Sequence, residues 1–201
     1  MLRILTGKSP VALAAIAALT AVTATAGEIQ LEIDATATEV VFSLPAMLHT
    51  VHGAFKVKSG RIRFDPSSGK ASGEITVDAT SGESGNNGRD SRMHKNVLES
   101  PRFPEISLVP DRFDGTLKLE GDSDVVLHGV FRIHGAEHEL TIPTHVSIDG
   151  ENLIATLKFS VPYVAWGMKN PSTLLLRVPD MVRIEAHAAG HLKALPAASG
   201  R

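Results

Sequence analysis

Apolar residues in this chain return at every second position, stretch after stretch, from Glu28 to Gly190. "EIQLEID" sets Ile29, Leu31 and Ile33 against polar neighbours. "TEVVFSL" puts Val40, Phe42 and Leu44 on one face, and "GAFKVKSGRIRFD" repeats the pattern with Phe55, Val57, Ile62 and Phe64. "ASGEITVDA" contributes Ile75 and Val77, and "DMVRIEAHAAG" alternates Val182, Ile184 and Ala186 with Arg183, Glu185 and His187. Period two sends successive side chains to opposite faces of a strand, so each stretch reads as a half-buried antiparallel strand. Ser59-Gly60 reads as a hairpin turn, and "DPSSGK", residues 65–70, as a loop in which Pro66 presets φ and Gly69 accepts positive φ. "PEISLV", "RFDGTLKLEG", "DVVLHGVFRIHG", "AEHELTIPTHVSID" and "NLIATLKFSVPYV" continue the series. About nine or ten strands result, a density that points to a single all-β antiparallel barrel or sandwich.

The first 26 residues stand apart. Arg3 and Lys8 flank the entry to an apolar run, "VALAAIAALTAV", and Ala24-Thr25-Ala26 suits a cleavage site. Residues 1–26 are therefore expected to be a signal peptide, with the mature chain periplasmic or secreted. The run is short for a membrane span, so no stable membrane anchor is expected. Without Arg3 and Lys8, 18 of the 20 basic residues face 22 acidic ones, a net charge of -4. That balance, with aromatic residues at 4%, offers neither a basic surface for nucleic acid nor a base-stacking platform. The chain has no cysteine, which excludes disulfides, thiolate catalysis, thiolate metal sites and a lipid-modified cysteine. Residues 27–190 form the expected domain, and 191–201, "HLKALPAASGR", read as a flexible tail.

One stretch breaks the period: "SGESGNNGRDSRMHKNVLES", residues 81–100. A short helix is expected from about Asp90 to Glu99, with Met93 and Val97, and His94 and Leu98, spaced i,i+4. Asp90 favours its N-terminal end and Pro101 stops it. "GESGN" falls one glycine short of a nucleophile elbow, and an antiparallel sheet lacks the strand–turn–helix that motif needs, so Ser84 reads as a loop serine. "GESGNNGRD" lacks the Gly-Lys-Ser/Thr ending of a nucleotide loop; a looser anion contact by its backbone and Arg89 stays open. "HGAEH", residues 134–138, matches a zinc-hydrolase pattern by letter but lies between alternating strands. Gly135-Ala136 is expected at the turn there, with His134 opposite Glu137. His49, His52, His128, His145 and His187 are scattered, and neither a metal site nor a cofactor is expected. Tyr163 and Trp166, the only Tyr and Trp, share one segment after a strand, placed to cap a barrel end or to touch an apolar ligand.

Taken in order, these stretches resemble the YceI-like family of exported, lipocalin-like proteins. "VVFSLPAMLHTVHGAFKVKSGRIRFDPSSGKASGEITVDATS" has the family's opening order, and "GRDSRMHKNVLESPRFPEISL" is similar to its Arg-Asp helix followed by aromatic-Pro and a strand. "LHGVFRIHGAEHELTIP" resembles its Gly-strand-Gly hairpin and "VPDMVRIEAHAAG" its closing strand. The resemblance spans about Ile33 to Gly190. It implies a lipocalin-like antiparallel β-barrel of about eight strands with one short helix, a long apolar cavity, and binding of polyisoprenoid or isoprenoid-quinone-like lipids, with no catalytic constellation to carry over.

A barrel of about eight strands has room for one small ligand or for a filling of side chains. Alternation nominates Phe42, Phe55, Val57, Ile75, Val77, Ile106, Leu108, Phe131 and Phe159 as cavity wall, Met93, Val97 and Leu98 as the helix's contribution, and Tyr163 and Trp166 as an end. Arg89 and His94 are the candidate headgroup contacts. The expected function is a non-enzymatic carrier of a long-chain apolar lipid, of isoprenoid type. Its rivals are a ligand-free structural or interaction barrel and a histidine-dependent metalloenzyme. An exposed edge strand would offer a route to a homodimer.

Overall fold

Nine alternating strands close on themselves. The computed structural model describes residues 27–45, 50–173 and 177–195; the expected signal peptide, the end of the expected tail and His49 lie outside these. The strands are β1 (Ile29–Ile33), β2 (Glu39–Pro45), β3 (Thr50–Phe64), β4 (Ala71–Glu83), β5 (Glu105–Asp114), β6 (Gly121–Ile133), β7 (Ala136–Asp149), β8 (Asn152–Val161) and β9 (Val182–Ala194). Helix α1 (Asn87–Arg92) lies between β4 and β5 and runs into a π-helical turn over Met93–Val97.

The nine strands make eight staves. β1 and β2 both pair with β3 and with β9, β1 near residues 61–64 and 190–194, β2 near 50–55 and 183–187. They are two halves of one broken stave. The break is a local turn in which Asp34 Oδ1 accepts from Thr36 N (2.8 Å), Thr36 Oγ1 (2.6 Å) and Ala37 N (3.2 Å). It is stitched to β9 by Thr38, whose hydroxyl donates to Ala189 O and accepts from Ala189 N. From there the order runs β9-β8-β7-β6-β5-β4, and β4 returns to β3. The result is the lipocalin-like antiparallel barrel that the alternation and the resemblance both imply. Each strand pairs with a neighbour on both sides over part of its length, while residues 136–143 of β7 pair with β6 alone.

Several local expectations change. Ser59-Gly60 is no hairpin turn: β3 runs straight through it, with the register against β4 slipping between Val57 and Ser59 as at a β-bulge. "PEISLV" and "RFD" belong to one strand, β5, because Pro110 sits where the register with β6 shifts, the kind of site that tolerates a missing N–H. The hairpin at 134–138 turns on His134 and Gly135, both with positive φ (53° and 75°), rather than on Gly135-Ala136. Glu137 then lies opposite Arg132, to which it is ion-paired at 2.8 Å, and not opposite His134. Finally, His191–Ala194 of the expected tail continue β9 and pair with β1.

The two ends of the barrel are built differently. One is packed solid by Leu31, Ile62, Phe64, Phe113, Ile142, Ile148 and Leu153, with Ile142 and Ile148 only 1% exposed. The Phe64 and Phe113 rings meet edge-on at 6.4 Å. The other end lies beneath the helix.

Candidate functional site

The helical segment is fixed by its own sequence before it touches the barrel. Asn86 caps α1, its Oδ1 accepting from Arg89 N at 3.0 Å. The cap is thus Asn86, and Asp90, expected at the helix start, instead reaches back to Ser84. Both carboxylate oxygens of Asp90 accept from Ser84 N at 3.1 Å, and Oδ1 also accepts from the Ser84 hydroxyl. Arg89 closes the clasp from the other side, with Nε donating to Ser84 Oγ (2.7 Å) and Nη2 to Ser84 O (2.8 Å). Burial alone would raise the Asp90 pKa, but the hydrogen bonds from Ser84 outweigh it and hold the carboxyl below its ordinary value. Ser84 is therefore a structural hub, its hydroxyl held between the Asp90 carboxylate and the Arg89 guanidinium.

Downstream, Leu98 N donates to Met93 O across five residues, widening the last turn. Glu99, with φ 46°, ends the helix before Pro101 is reached. Met93 lies against Gly82, where an added Cβ would stand 2.9 Å from the Met93 methyl and 2.4 Å from Phe55 Cε1. A glycine on β4 thus lets the helix and Phe55 approach one wall. His94 locks that approach: its Nε2 bonds Gly82 O (2.8 Å) and its Nδ1 bonds the hydroxyl of Ser100 (2.9 Å), itself 2% exposed. A carbonyl can only accept, so Nε2 carries the proton and Nδ1 accepts from Ser100.

Between this helix and the packed end the barrel holds a cavity of about 530 Å³. Of the residues nominated from alternation, Phe42, Phe55, Val57, Ile75, Val77, Ile106, Leu108, Phe131 and Phe159 line it, as do Met93, Val97, Leu98, Tyr163 and Arg89. Two nominees do not. Both ring nitrogens of His94 are spent on Gly82 and Ser100, so it acts as a latch and not as a headgroup contact. Trp166 lies on the rim, stacked flat on His138 (3.9 Å between ring centres, 7° between planes) and tilted against Phe131 at 6.0 Å. Tyr163 turns its hydroxyl away from the lumen to donate to Pro179 O at 2.7 Å, and burial, with help from the Asp180 charge, pushes its pKa up to about 12.

Other lining residues escaped nomination. Val40, Leu44, Val182, Ile184 and Ala186 line the wall too; Val40 and Leu44 share a face with Phe42, and the other three alternate along β9, so alternation already carried that signal. Ser84, Asn86, Gly88 and Arg92 form the polar end of the cavity beside Arg89, and no period marks such loop residues. Deeper in, Thr38 and Ser107 are the polar residues of an otherwise apolar wall. The remaining histidines are dispersed on separate partners: His52 on Ser43, His128 on Asp114, His145 on Asp124 and His187 on Thr156. Among the described residues no three His, Asp or Glu side chains converge as a metal site would require, and no helix is long and apolar enough to cross a membrane.

The barrel has counterparts among solved structures. A polyisoprenoid binding domain from Saccharophagus degradans implicated in plant cell wall breakdown superposes with a TM-score of 0.66 at 14% identity, covering 81% of this chain and 98% of that one. Burkholderia cenocepacia BcnA superposes with a TM-score of 0.66 at 18% identity, covering 78% and 98%. The Campylobacter jejuni YCEI protein gives 0.57 at 16% identity, covering 70% and 84%. At such identities the likeness is one of fold. No curated protein sequence matches the chain. The sequence itself decides the family: the YceI-like domain matches residues 31–189, from the first stave through the last, with the helix and cavity inside it. The chain belongs to the YceI-like domain family.

Proposed function

We propose that this protein is an exported, periplasmic carrier that takes the tail of a long apolar lipid, of isoprenoid type, into its barrel, and that it works by burial rather than by reaction. The observation that carries this reading is the cavity itself: about 530 Å³ enclosed mainly by Val, Ile, Leu, Phe and Met side chains, with its two charged residues, Arg89 and Arg92, together at one end. Such a shape suits an amphiphile with an apolar body and a polar tip. An apolar cavity of about 150 Å³ accepts a six-carbon ring, so this one holds on the order of twenty carbons. Each buried methylene contributes about 0.8 kcal/mol, a large gross driving force from which ordering costs are drawn. Among the described residues no histidine lines the cavity, and the Ser84 hydroxyl is clasped between Asp90 and Arg89, which supports carriage over catalysis. The S. degradans domain, described as polyisoprenoid binding, supports the isoprenoid class. Lipid extraction and mass spectrometry of protein purified from its own host tests the proposal. An isoprenoid lipid at near-stoichiometric yield is expected; its absence, together with no saturable binding of a fluorescent isoprenoid, overturns it.

A further inference from the structure

Arg89 and Arg92 are the only charged side chains among the described residues that line the cavity. They sit one helical turn apart at its polar end, and no Asp, Glu, Lys or His joins them there. Arg89 is partly offset by Asp90 across the shared Ser84, yet only Nε and Nη2 are engaged in that clasp. Nη1 makes no hydrogen bond among the described residues. The Arg92 side chain makes no hydrogen bond or ion pair among them. The entrance to an apolar lumen thus carries a positive charge with no internal partner, beside an arginine with an unused edge.

From this we infer that the bound lipid carries an oxyanion headgroup, of the phosphate or diphosphate kind, held by Arg92 and by the outward edge of Arg89. The inference rests on the lipid-carrier reading and narrows it from apolar lipids in general to anionic amphiphiles. A neutral alcohol or quinone head could use hydrogen-bond donors but would bring no opposite charge to the exposed guanidinium of Arg92. An oxyanion meets both needs: charge-assisted bonds to ionised acceptors are roughly twice as strong as neutral ones, and the planar guanidinium matches the oxygens of a phosphate two at a time. Asp90 aids this by fixing Ser84, and through it the orientation of Arg89, while its own oxygens are turned to Ser84 and away from the lumen's ligand.

The test compares two ligands with one tail, farnesyl diphosphate and farnesol, by titration calorimetry, with inorganic diphosphate as a third arm. The diphosphate ester is expected to bind at least tenfold more tightly than the alcohol at low salt, with the gap narrowing as salt rises. Arg92→Gln, at an exposed position with no internal bond to lose, is expected to close most of that gap, and Arg92→Lys to restore part of it. Circular dichroism confirms that the variants fold. Equal affinities of the two lipids, or a gap that Arg92→Gln leaves intact, overturn the oxyanion headgroup while leaving lipid carriage standing. Inorganic diphosphate binding as tightly as the ester shows a free-anion site and overturns the amphiphile. Failure of both lipids to bind overturns carriage, and the headgroup with it.

Discussion

Replacing Ala186 with Phe should empty this protein of ligand without unfolding it. Ala186 lies on β9, between Val40 of β2 and Leu157 of β8 in the register, and faces the lumen. A phenyl ring adds six carbons, for which an apolar site of about 150 Å³ suffices, and the cavity offers about 530 Å³. The ring therefore enters existing space and displaces a comparable number of ligand carbons. At about 0.8 kcal/mol per methylene, the gross loss is roughly 5 kcal/mol; with some sliding of the tail, affinity is expected to fall at least ~100-fold. Urea unfolding should show no loss of stability, since overpacking, which costs about 1–3 kcal/mol, does not occur. The contrasting variant is Ile148→Ala at the packed end, where the side chain is 1% exposed and does not line the cavity. It should cost about 2–5 kcal/mol of stability and leave lipid affinity in place. If Ala186→Phe destabilises the protein as an overpacked core would, or leaves lipid affinity unaltered, the lumen is not the binding space.

Other outcomes follow from the same geometry. Affinity should climb with tail length in a series from geranyl upward and level off on the order of twenty carbons, measured by competition against a fluorescent isoprenoid; a continued rise would show that the tail leaves the cavity described. His94→Ala should orphan the buried Ser100 hydroxyl and the Gly82 carbonyl, at about 1–3 kcal/mol for each group left unsatisfied, and hydrogen exchange should quicken selectively over residues 87–97. Uniform quickening across the barrel would refute the role of His94 as a local latch. His138, stacked on Trp166, has its pKa lowered from 6.5 by burial. The unfolded chain therefore takes up a proton before the folded one does. The contribution of His138 is complete above pH 6.5 and falls as the pH drops through the lowered folded-state value. The raised pKa of His145, beside Asp124, acts in the opposite sense, fading as pH rises through its folded-state value. Between pH 4 and 7, roughly the range of histidine titration, wild type should lose stability relative to His138→Phe as the pH falls, and a pH-independent offset would sink this assignment.

Where the chain was legible, the reason is local. Inward positions of β4, β5 and β8 follow the period of two, so Ile75, Val77, Ile106, Leu108 and Phe159 could be placed on the wall without a structure. What stayed hidden depends on partners far away in the sequence. Ser59-Gly60 has the chemistry of a turn, and only the slipped register of β4 against β3 makes it a bulge. β1 and β2 look like separate staves until β3 and β9 are seen to flank both. Met93 and His94 adjoin on one turn, but Met93 meets the lumen while His94 meets Gly82 and Ser100, a split set by the widened turn and by where β4 places its glycine. Trp166 was legible as an end residue, yet which side of the rim it takes is decided by His138 across a loop. Arg92 carries no periodic signal; it matters because the structure leaves it unpaired at the mouth.

The contrast between the two ends explains how one backbone can be core and container at once. On β9 the inward side chains run Val182, Ile184, Ala186, Ala188, and then Gly190. At Gly190 there is no room for a side chain: an added Cβ would stand 2.5 Å from Glu32 O and 2.8 Å from Leu31 Cδ1. Ala186 and Ala188 line the lumen with short side chains. The cavity thus arises from unmatched side-chain volumes on an ordinary stave rather than from any break in the sheet. Open apolar volume forfeits packing that a filled core would have, and it is tolerated because the far end is solid, around Ile142 and Ile148, and because the helix is latched locally by His94 and by the Ser84 clasp. A barrel built this way concentrates its filled core at one end and its open lumen at the other, so substitutions at residues that belong to only one of them should leave the other largely untouched.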